Sequence, residues 1–174
     1  ILCGGLGTRL RPHTDHLPKP MIPCNGKPFL WYLLQQMEEQ GIQRFILLTG
    51  YLAEKIEQYF EDGSKWGWQI QYSQGPVEWD TGKRIWEAKE KLDERFLLLY
   101  SDKFVPFPMD KVLALHEKNR LPLTFMVSPK SPGNIALDET GTVQKYDNSR
   151  SKELEYVEIG YMIVEKERTL KFFE

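Results

Sequence analysis

The residues with the clearest chemical potential form a glycine-rich turn near the start of the chain, Gly4-Gly5-Leu6-Gly7-Thr8-Arg9-Leu10-Arg11. Glycine lets the backbone approach an anion closely and turn its N–H groups toward it. The guanidinium groups of Arg9 and Arg11 carry a permanent charge and forked donors that match phosphate oxygens. This combination predicts a phosphate-binding loop. The alternative is a tight turn whose arginines are merely solvated.

Two common phosphate-binding patterns do not fit this turn. The dinucleotide-binding fingerprint that Gly5 and Gly7 would begin needs a third glycine where Leu10 stands. A Walker loop ends in Gly-Lys followed by Ser or Thr, whereas the two Gly-Lys pairs of this chain are followed by Pro28 and Arg84. If the turn binds a phosphate, it does so through neither of these two patterns.

A second candidate is Lys19, which stands between Pro18 and Pro20. The two prolines restrict the local backbone, so the lysine is presented at a lower entropic cost than on a flexible loop. A lysine held in this way suits contact with a phosphate. The alternative is a solvated lysine in a proline-rich connection.

A third candidate is Asp102, which follows the apolar run 96–100 and Ser101. In open α/β sheets ligands bind beyond the carboxyl ends of the strands, and a carboxylate there can hold a hard cation such as Mg²⁺. A capping or turn aspartate ahead of Pro106 is the alternative. We expect the glycine-rich turn and Asp102 to share one crevice.

Other polar and aromatic residues carry weaker signals. His13, Asp15 and His16 have a short spacing, but a proline-rich loop is a poor frame for a metal site. Trp66 and Trp68 are expected to be packing aromatics and not stacking platforms for bases.

These residues must be positioned by apolar segments, which alternate along the chain between strand-like and helix-like patterns. Runs typical of buried strands lie at 1–3, 45–49, 70–72 and 96–100, and helical spacing covers 29–37, 52–60 and 85–92. Strands that are apolar on both faces and separated by helices indicate a parallel sheet covered on both sides. We predict an α/β fold, a doubly wound, Rossmann-like three-layer sandwich with a mainly parallel central sheet.

The pattern changes after residue 100. A helix at 109–118 precedes short strands at 123–127, 134–137, 142–146 and 156–164, which predict a mixed sheet edge and a small β subregion, and a last helix begins at 165. We interpret 1–174 as a single domain with two parts, 1–103 and 104–174. Because the chain starts in mid-pattern and stops in a helix, we expect both ends to be truncated.

Composition and charge limit the function classes. The 174 residues are 41% hydrophobic and 28% charged, which argues against disorder. A net charge of −2 gives no bulk attraction to nucleic acid or to an anionic membrane, so neither is an expected partner, and the apolar stretches are too short for a membrane span. The two cysteines, Cys3 and Cys24, make no disulfide framework, and a reducing, cytoplasmic setting is expected.

Taken together, the motifs resemble a known family. Gly4-Gly5-Leu6-Gly7-Thr8-Arg9-Leu10-Arg11-Pro12, then Pro18-Lys19-Pro20-Met21 and Gly26-Lys27-Pro28, resemble the signature of the sugar-1-phosphate nucleotidyltransferases, also called nucleotide-sugar pyrophosphorylases. The similarity continues to Asp102 and more loosely to Gly160-Tyr161. It is closest to bacterial guanylyltransferases that act on mannose- or D-glycero-D-manno-heptose-1-phosphate.

The resemblance implies that a sugar-1-phosphate oxygen attacks the α-phosphorus of a nucleoside triphosphate, giving a nucleotide-sugar and pyrophosphate with Mg²⁺ as cofactor. By similarity, Arg9 and Lys19 are catalytic and Asp102 binds the metal. The implied nucleotide-binding residues are Leu2, Gly4, Gly5, Gly7, Thr8, Gln74, Thr81 and Gly82, and the segment 74–82 occupies the place where the family recognises the base. The resemblance implies a catalytic domain whose nucleotide-binding half is 1–103 and whose incomplete sugar-binding half is 104–174. The implied sugar-binding residues are Gly133, Glu158 and Gly160. The second metal aspartate of the family is expected beyond residue 174.

Three segments depart from the family pattern. Small residues usually follow the base-recognition loop, whereas this chain has Asp80-Thr81-Gly82-Lys83-Arg84. The metal aspartate is preceded by Tyr100-Ser101 and not by the usual Asn-Gly, and Tyr146-Asp147-Asn148-Ser149 stands where a Glu-Lys-Pro sugar-binding motif is expected. The altered base and sugar segments leave open a catalytically silent relative that binds a nucleotide or nucleotide-sugar. A nicotinamide-binding dehydrogenase is a second alternative, disfavoured by the missing third glycine. Which nucleotide and sugar are used, and whether the protein forms a homo-oligomer, stay open.

Overall fold

The computed structural model describes residues 1–173, in which helices and short strands alternate. The helices are α1 (Phe29–Glu39), α2 (Ala53–Phe60), α3 (Thr81–Glu87), α4 (Met109–Asn119) and α5 (Lys166–Thr169). The strands are β1 (Pro23–Cys24), β2 (Lys27–Pro28), β3 (Arg44–Thr49), β4 (Gln69–Gln74), β5 (Arg95–Leu99), β6 (Leu123–Pro129), β7 (Gly133–Leu137), β8 (Val143–Ser151) and β9 (Tyr156–Glu165). The protein has an α/β fold, as predicted.

The parallel part of the sheet is built around the start of the chain. β3 and β4 pair in parallel from Arg44 opposite Gln69 to Thr49 opposite Gln74. Leu2 forms single parallel bridges on both of its sides, to a residue of β3 and to Tyr100 just after β5. The predicted first strand is thus a short extended segment between β3 and β5.

The rest of the sheet is antiparallel. β9 pairs with both β5 and β6, and β7 pairs with β8 and meets β9 where Ile135 lies opposite Tyr156. Antiparallel neighbours can be joined by tight turns, such as the one closed by the Gly141 N–H and the Asp138 carbonyl, whereas parallel neighbours need a crossover. Parallel pairing is therefore limited to the first hundred residues, and the predicted mixed edge follows them.

Two apolar clusters cover the sheet because side chains of a strand alternate between its faces. Phe45 and Leu47 of β3 belong to the cluster that contains the apolar residues of α1 and α2, whereas Leu48 belongs to the cluster that contains Ile85 of α3. Each fully buried large apolar side chain stabilises the fold by about 1.5–3 kcal/mol. This packing fixes β3 and β5, whose carboxyl ends carry the candidate site.

The prolines shape the connection between the first segment and α1. Residues 8–21 contain only single 3₁₀ turns, at Thr8–Leu10, His13–Asp15 and Lys19–Met21, as the prolines predict. Asn25 and Gly26, both with positive φ, close the β1–β2 hairpin, and Pro28 directly precedes α1.

The last predicted helix is shorter than expected. β9 extends to Glu165, whose carboxylate accepts a hydrogen bond from the Arg95 side chain, so α5 starts one residue later. It covers Lys166–Thr169 and continues as a 3₁₀ turn at Leu170–Phe172, while residue 174 lies outside the described residues. Among residues 1–173, no helix has the length and apolar character needed to cross a membrane.

The tryptophans singled out in the sequence are packing residues, as predicted. The rings of Trp66 and Trp68 stack with centroids 5.3 Å apart, and both contact the core around α2. Their role lies in the core and not at the cavity described next.

Candidate active site

The glycine-rich turn begins where the first segment leaves the sheet. The Cys3 N–H donates to the Leu48 carbonyl at 2.9 Å, and the Tyr51 N–H donates to the Gly4 carbonyl at 3.3 Å. The turn therefore lies at the carboxyl ends of β3 and β5, where open α/β sheets bind ligands.

Gly5 and Gly7 serve different purposes in this turn. Gly7 has φ +64°, and a Cβ there would lie 3.0 Å from Thr14 Cγ2 and 3.1 Å from Lys19 Cβ. The Thr14 hydroxyl also donates to the Gly7 carbonyl at 3.0 Å. Gly5 is exposed, and no atom lies within 4 Å of where its Cβ would stand. Gly7 therefore shapes the turn, whereas Gly5 leaves open space beside the backbone.

Lys19 and Asp102 form an ion pair at the mouth of the crevice. Lys19 Nζ donates to Asp102 Oδ2 at 2.5 Å, and each side chain is 31% exposed. Pro18 and Pro20 are buried and hold the lysine in its 3₁₀ turn. The Ser101 hydroxyl donates to the Leu2 carbonyl at 2.6 Å, which anchors the segment that presents Asp102.

These groups line one cavity with a volume of about 450 Å³, a size typical of small-molecule sites. The sequence-predicted residues on its wall are Leu2, Gly4, Gly5, Gly7, Thr8, Arg9, Lys19, Thr81 and Asp102. The expectation that the glycine-rich turn and Asp102 share a crevice is confirmed. The arginine and lysine give this wall a positive charge suited to phosphates.

Gln74 and Gly82, which the resemblance assigned to nucleotide binding, do not line this cavity. Gln74 is exposed at the end of β4. Gly82 lies in the first turn of α3, where a Cβ would meet Phe173 at 3.3 Å. Residues three apart share a helix face, so Thr81 and Arg84 reach the cavity while Gly82 lies to one side.

The residues assigned to sugar binding also lie off the cavity wall, in the antiparallel part of the sheet. Gly133 is buried, and a Cβ there would stand 2.5 Å from the Leu154 carbonyl oxygen. Gly160 has φ +86° and packs against Tyr100, while its N–H donates to the Glu158 carboxylate. Glu158 and Gly160 thus lie beside the segment that carries Asp102.

Glu158 is the acid of this region with a shifted proton affinity. Burial raises the pKa of its carboxyl, and the Gly160 N–H and the Lys103 ammonium partly oppose that rise. The nearby Asp102 charge raises it further. Two carboxylates and two lysines, Lys19 and Lys103, therefore interact at the edge of the cavity.

Three further wall residues were not singled out individually from the sequence, although two of them lie within the segment 74–82 that the resemblance assigns to base recognition. Trp79 and Val77 come from the loop after β4, and Arg84 comes from α3. Asp80 is a typical N-cap residue, so the sequence could have predicted a helix that carries Arg84 in its first turns. In the structure the Asp80 carboxylate accepts a hydrogen bond from the Lys83 N–H at 2.8 Å. Nothing local in the sequence distinguishes Trp79 from a packing aromatic.

The cavity offers no activated thiol nucleophile. Cys3 lies on its wall, but burial raises the pKa of this thiol to about 11. The thiolate is the reactive form, so Cys3 is inert at neutral pH. The wall therefore offers charged groups and backbone donors instead of a reactive thiol.

The donor set around Asp102 fits a metal shared with substrate. Within residues 1–173 no three His, Cys, Asp or Glu side chains cluster as metal ligands, and His13, Asp15 and His16 form no such site. Mg²⁺ is usually held by one or two carboxylates together with substrate phosphates and waters. A single carboxylate facing a phosphate-binding wall matches that pattern.

The protein is an α/β protein with a cavity at the carboxyl ends of its parallel strands. The chain belongs to the nucleotidyl transferase family, whose model matches residues 1–166. The family resemblance found in the motifs is thus confirmed, and the protein is a member of a family of nucleotidyltransferase enzymes.

Particular relatives differ in the nucleotide and sugar that their names contain. The chain is 32% identical over 167 residues to the D-glycero-alpha-D-manno-heptose 1-phosphate guanylyltransferase of Campylobacter jejuni, covering 96% of the chain and 75% of that protein. It is 34% identical over 138 residues to the "Probable glucose-1-phosphate cytidylyltransferase" of Bacillus subtilis, covering 67% of the chain and about half, 54%, of that protein.

A solved structure confirms the fold. The crystal structure of HddC from Yersinia pseudotuberculosis complexed with GMP-PN superposes with a TM-score of 0.78 and 25% identity, covering 96% of the chain and 76% of that structure. The similarity extends over both the parallel and the antiparallel parts of the sheet.

Proposed function

We propose that this protein transfers a nucleoside monophosphate from a nucleoside triphosphate to a sugar-1-phosphate, releasing pyrophosphate. The observation that carries the proposal is the convergence of the glycine-rich turn, Arg9, Lys19 and Asp102 on one cavity wall. In the reaction, a phosphate oxygen of the sugar-1-phosphate forms a bond to the α-phosphorus. The bond from the α-phosphorus to the oxygen shared with the β-phosphate breaks, and pyrophosphate leaves with that electron pair.

The residues act by holding charge in place. The N–H groups of the turn at Gly4, Gly5, Gly7 and Thr8 contact the triphosphate, with Leu2 and Thr81 beside them. Arg9 stabilises the negative charge that grows on the departing pyrophosphate. Lys19 leaves the Asp102 carboxylate and neutralises the phosphates. No covalent nucleophile is required.

Asp102 would hold Mg²⁺ together with the α-phosphate. When bound, the metal would supply positive charge to the non-bridging oxygens. The Asp102 carboxylate, which pairs with Lys19 in this structure, would then be neutralised by the cation. The exposed position of the Lys19–Asp102 pair supports this replacement, because exposed ion pairs are weak.

For the substrates we propose GTP with a heptose- or mannose-1-phosphate. The guanylyltransferase relative and the guanine nucleotide in the HddC crystal support this choice. The positions of Glu158 and Gly160 beside the Asp102 segment support a sugar site there, with Gly133 shaping its strand. Gln74 and Gly82 flank the base-recognition loop, and we propose that they contact the nucleotide through backbone groups.

For the architecture we propose a doubly wound, Rossmann-like three-layer sandwich with a mainly parallel central sheet. Residues 1–3 form the central parallel strand of that sheet. The parallel bridges of Leu2 and the apolar clusters on both faces support it. The proposed halves are 1–103 for the nucleotide and 104–174 for the sugar. Both cysteines are free, which supports a reducing compartment such as the cytoplasm.

The test is pyrophosphate release by the full-length protein with Mg²⁺, five nucleoside triphosphates and a panel of hexose- and heptose-1-phosphates. We expect one productive pair, GTP with a heptose- or mannose-1-phosphate, and its loss in Lys19→Ala. Triphosphate binding without pyrophosphate release, detected as a thermal shift, would favour the silent relative. Absence of both would overturn the proposal, and preferential binding of a dinucleotide would favour a dehydrogenase.

A further inference from the structure

Arg84 is a buried cation beneath the glycine-rich turn. Its side chain is 6% exposed, and among residues 1–173 its guanidinium contacts backbone carbonyls and makes no ion pair. Nη1 donates to the Thr49 carbonyl at 2.8 Å, and Nη2 donates to the Pro76 carbonyl at 2.5 Å. Longer contacts of 3.5 Å reach the carbonyls of Gly75 and Gly4.

These four carbonyls come from three separate segments. Gly4 belongs to the glycine-rich turn, Thr49 ends β3, and Gly75 and Pro76 begin the loop after β4. A planar guanidinium with five N–H donors can join several acceptors at once, which a lysine ammonium cannot do with the same geometry. Arg84 therefore ties the loop after β4 to the two strand ends that carry the phosphate-binding wall.

The loop at residues 75–80 closes around this contact. The Trp79 N–H donates to the same Pro76 carbonyl at 3.2 Å, and the Trp79 ring covers Gly75 so closely that any Cβ there would overlap it. Asp80 caps the N-terminus of α3, and this helix places Arg84 against the loop. The position of Trp79 on the cavity wall thus depends on the Pro76 carbonyl that Arg84 holds.

Two glycines make room for the guanidinium. A Cβ on Gly4 would overlap Arg84 Cζ, and a Cβ on Gly50 would stand 2.8 Å from Arg84 Nη2. Glycine at position 4 is therefore explained by the side chain beneath it as well as by a ligand above it. Because Arg84 lines the cavity, it brings a cation into the cavity floor.

The charge of Arg84 is only partly balanced by protein groups. Burial lowers the pKa of its guanidinium, and the charge of Glu78 opposes that shift. Arginine nevertheless stays protonated at neutral pH. Phosphates bound above the floor would add the missing negative charge.

We propose that Arg84 is a positioning residue that sets base selectivity, because its guanidinium holds the loop 75–80, with Trp79, as the wall that the nucleobase of the triphosphate meets. This proposal rests on the function proposed above. It predicts that loss of the forked contact affects discrimination among bases more than affinity for phosphates.

The test uses Arg84→Lys, which keeps the charge and loses the fork, and Arg84→Gln, which loses both. In the full-length protein, dissociation constants are measured for GTP, ATP, CTP, UTP and dTTP and for inorganic tripolyphosphate. We expect Arg84→Lys to raise the dissociation constant of the preferred nucleotide about tenfold and to make the dissociation constants of the five nucleotides more alike. The dissociation constant of tripolyphosphate should change less than about threefold in this variant. In Arg84→Gln the dissociation constant of tripolyphosphate should rise as well. Arg95→Lys, the same change at a distant arginine paired with Glu117 and Glu165, should leave the preference intact.

A second readout needs no ligand. Amide hydrogen exchange of residues 75–80 should rise at least about tenfold in Arg84→Lys and stay unchanged in Arg95→Lys. Unchanged base preference and exchange in a folded Arg84→Lys variant would overturn the proposal. Loss of cooperative unfolding in that variant would also overturn it, because Arg84 would then determine the fold. If the wild-type protein bound no triphosphate, the proposed function would fail, and the exchange measurement would still decide whether Arg84 holds the loop.

Discussion

At the residue scale, the ion pair between Lys19 and Asp102 connects the two groups on which the proposed chemistry depends. Because both side chains are about one third exposed, solvent screens the pair and it contributes only about 0–1 kcal/mol to stability. A weak pair can be replaced by ligands without unfolding the site. Under the proposed function, the pair would hold the two charged groups in place in the absence of nucleotide and metal.

Replacing Asp102 with Asn should affect metal dependence specifically. The amide removes the negative charge but keeps the shape of the side chain, so we expect activity to need a Mg²⁺ concentration at least about tenfold higher, while stability changes by less than about 1 kcal/mol. Magnesium titration of pyrophosphate release checks this. Asp93→Asn, at an exposed aspartate paired with Arg44, is the control. An unchanged titration in Asp102→Asn would place the metal elsewhere.

Replacing Arg9 with Ala should reduce turnover without affecting the fold. Arg9 is exposed on the cavity wall, so its loss should change the free energy of unfolding by less than about 0.5 kcal/mol. Loss of one preorganised donor to the transition state lowers kcat by about 10²–10³. Steady-state kinetics and urea unfolding of the same variant measure the two effects. Near-normal turnover would contradict the role assigned to Arg9.

At the element scale, the glycine-rich turn is defined by contacts on its inner side. Gly7 has no room for a side chain between Thr14 and Lys19, whereas Gly5 has open space around it. The same residue type therefore serves backbone geometry at one position and access to the cavity at the other. Local sequence could not separate the two roles.

Gly7→Ala should destabilise the turn, since a left-handed backbone costs a non-glycine residue about 1–2 kcal/mol and the new Cβ presses on Thr14 and Lys19. We expect a lower free energy of unfolding by at least that amount and reduced activity through displacement of Lys19. Gly5→Ala is the matched control, with an expected stability change below about 0.5 kcal/mol. Equal destabilisation of the two variants in urea unfolding would contradict this account.

At the scale of the whole molecule, a polar network joins α4 to the antiparallel part of the sheet. His116 is buried and contacts the Thr124 hydroxyl at 2.8 Å and the Glu165 carboxylate at 2.9 Å. Glu165 also accepts from Arg95, which pairs with Glu117 of α4. The network fixes the end of β9 against β5 and β6, and so orients the strand that carries Glu158 and Gly160.

This network predicts a pH-dependent stability. The His116 and Arg95 hydrogen bonds lower the pKa of Glu165 from its ordinary value of 4.5. Because the folded-state pKa lies below the unfolded value, the stabilisation by Glu165 is present above pH 4.5 and is lost as the pH falls through the folded-state pKa. The stability difference between wild type and Glu165→Gln should therefore be constant near neutral pH and shrink below pH 4.5. Urea unfolding across pH checks it. A difference that stays constant down to about pH 3, roughly 1.5 units below the ordinary value, would contradict it.

What the sequence by itself determined is local. The spacing of Gly4, Gly5 and Gly7, the prolines around Lys19 and the helical periods of α1, α2 and α4 act through backbone dihedrals and neighbouring turns, so they could be read without the fold. The motif order also identified the family. The helix expected after residue 164 was shortened because β9 extends to Glu165, a tertiary preference that a local pattern does not contain.

What only the tertiary structure decided concerns contacts between residues distant in sequence. Lys19 meets Asp102 across 83 residues, and Arg84 reaches the Gly4 carbonyl across 80. Gln74 and Gly82 lie off the cavity because strand pleating sets the direction of the Gln74 side chain and helix periodicity places Gly82 on another face of α3. A buried arginine is stable only where several carbonyls converge, and that convergence exists only after β3, β4 and the first segment have assembled.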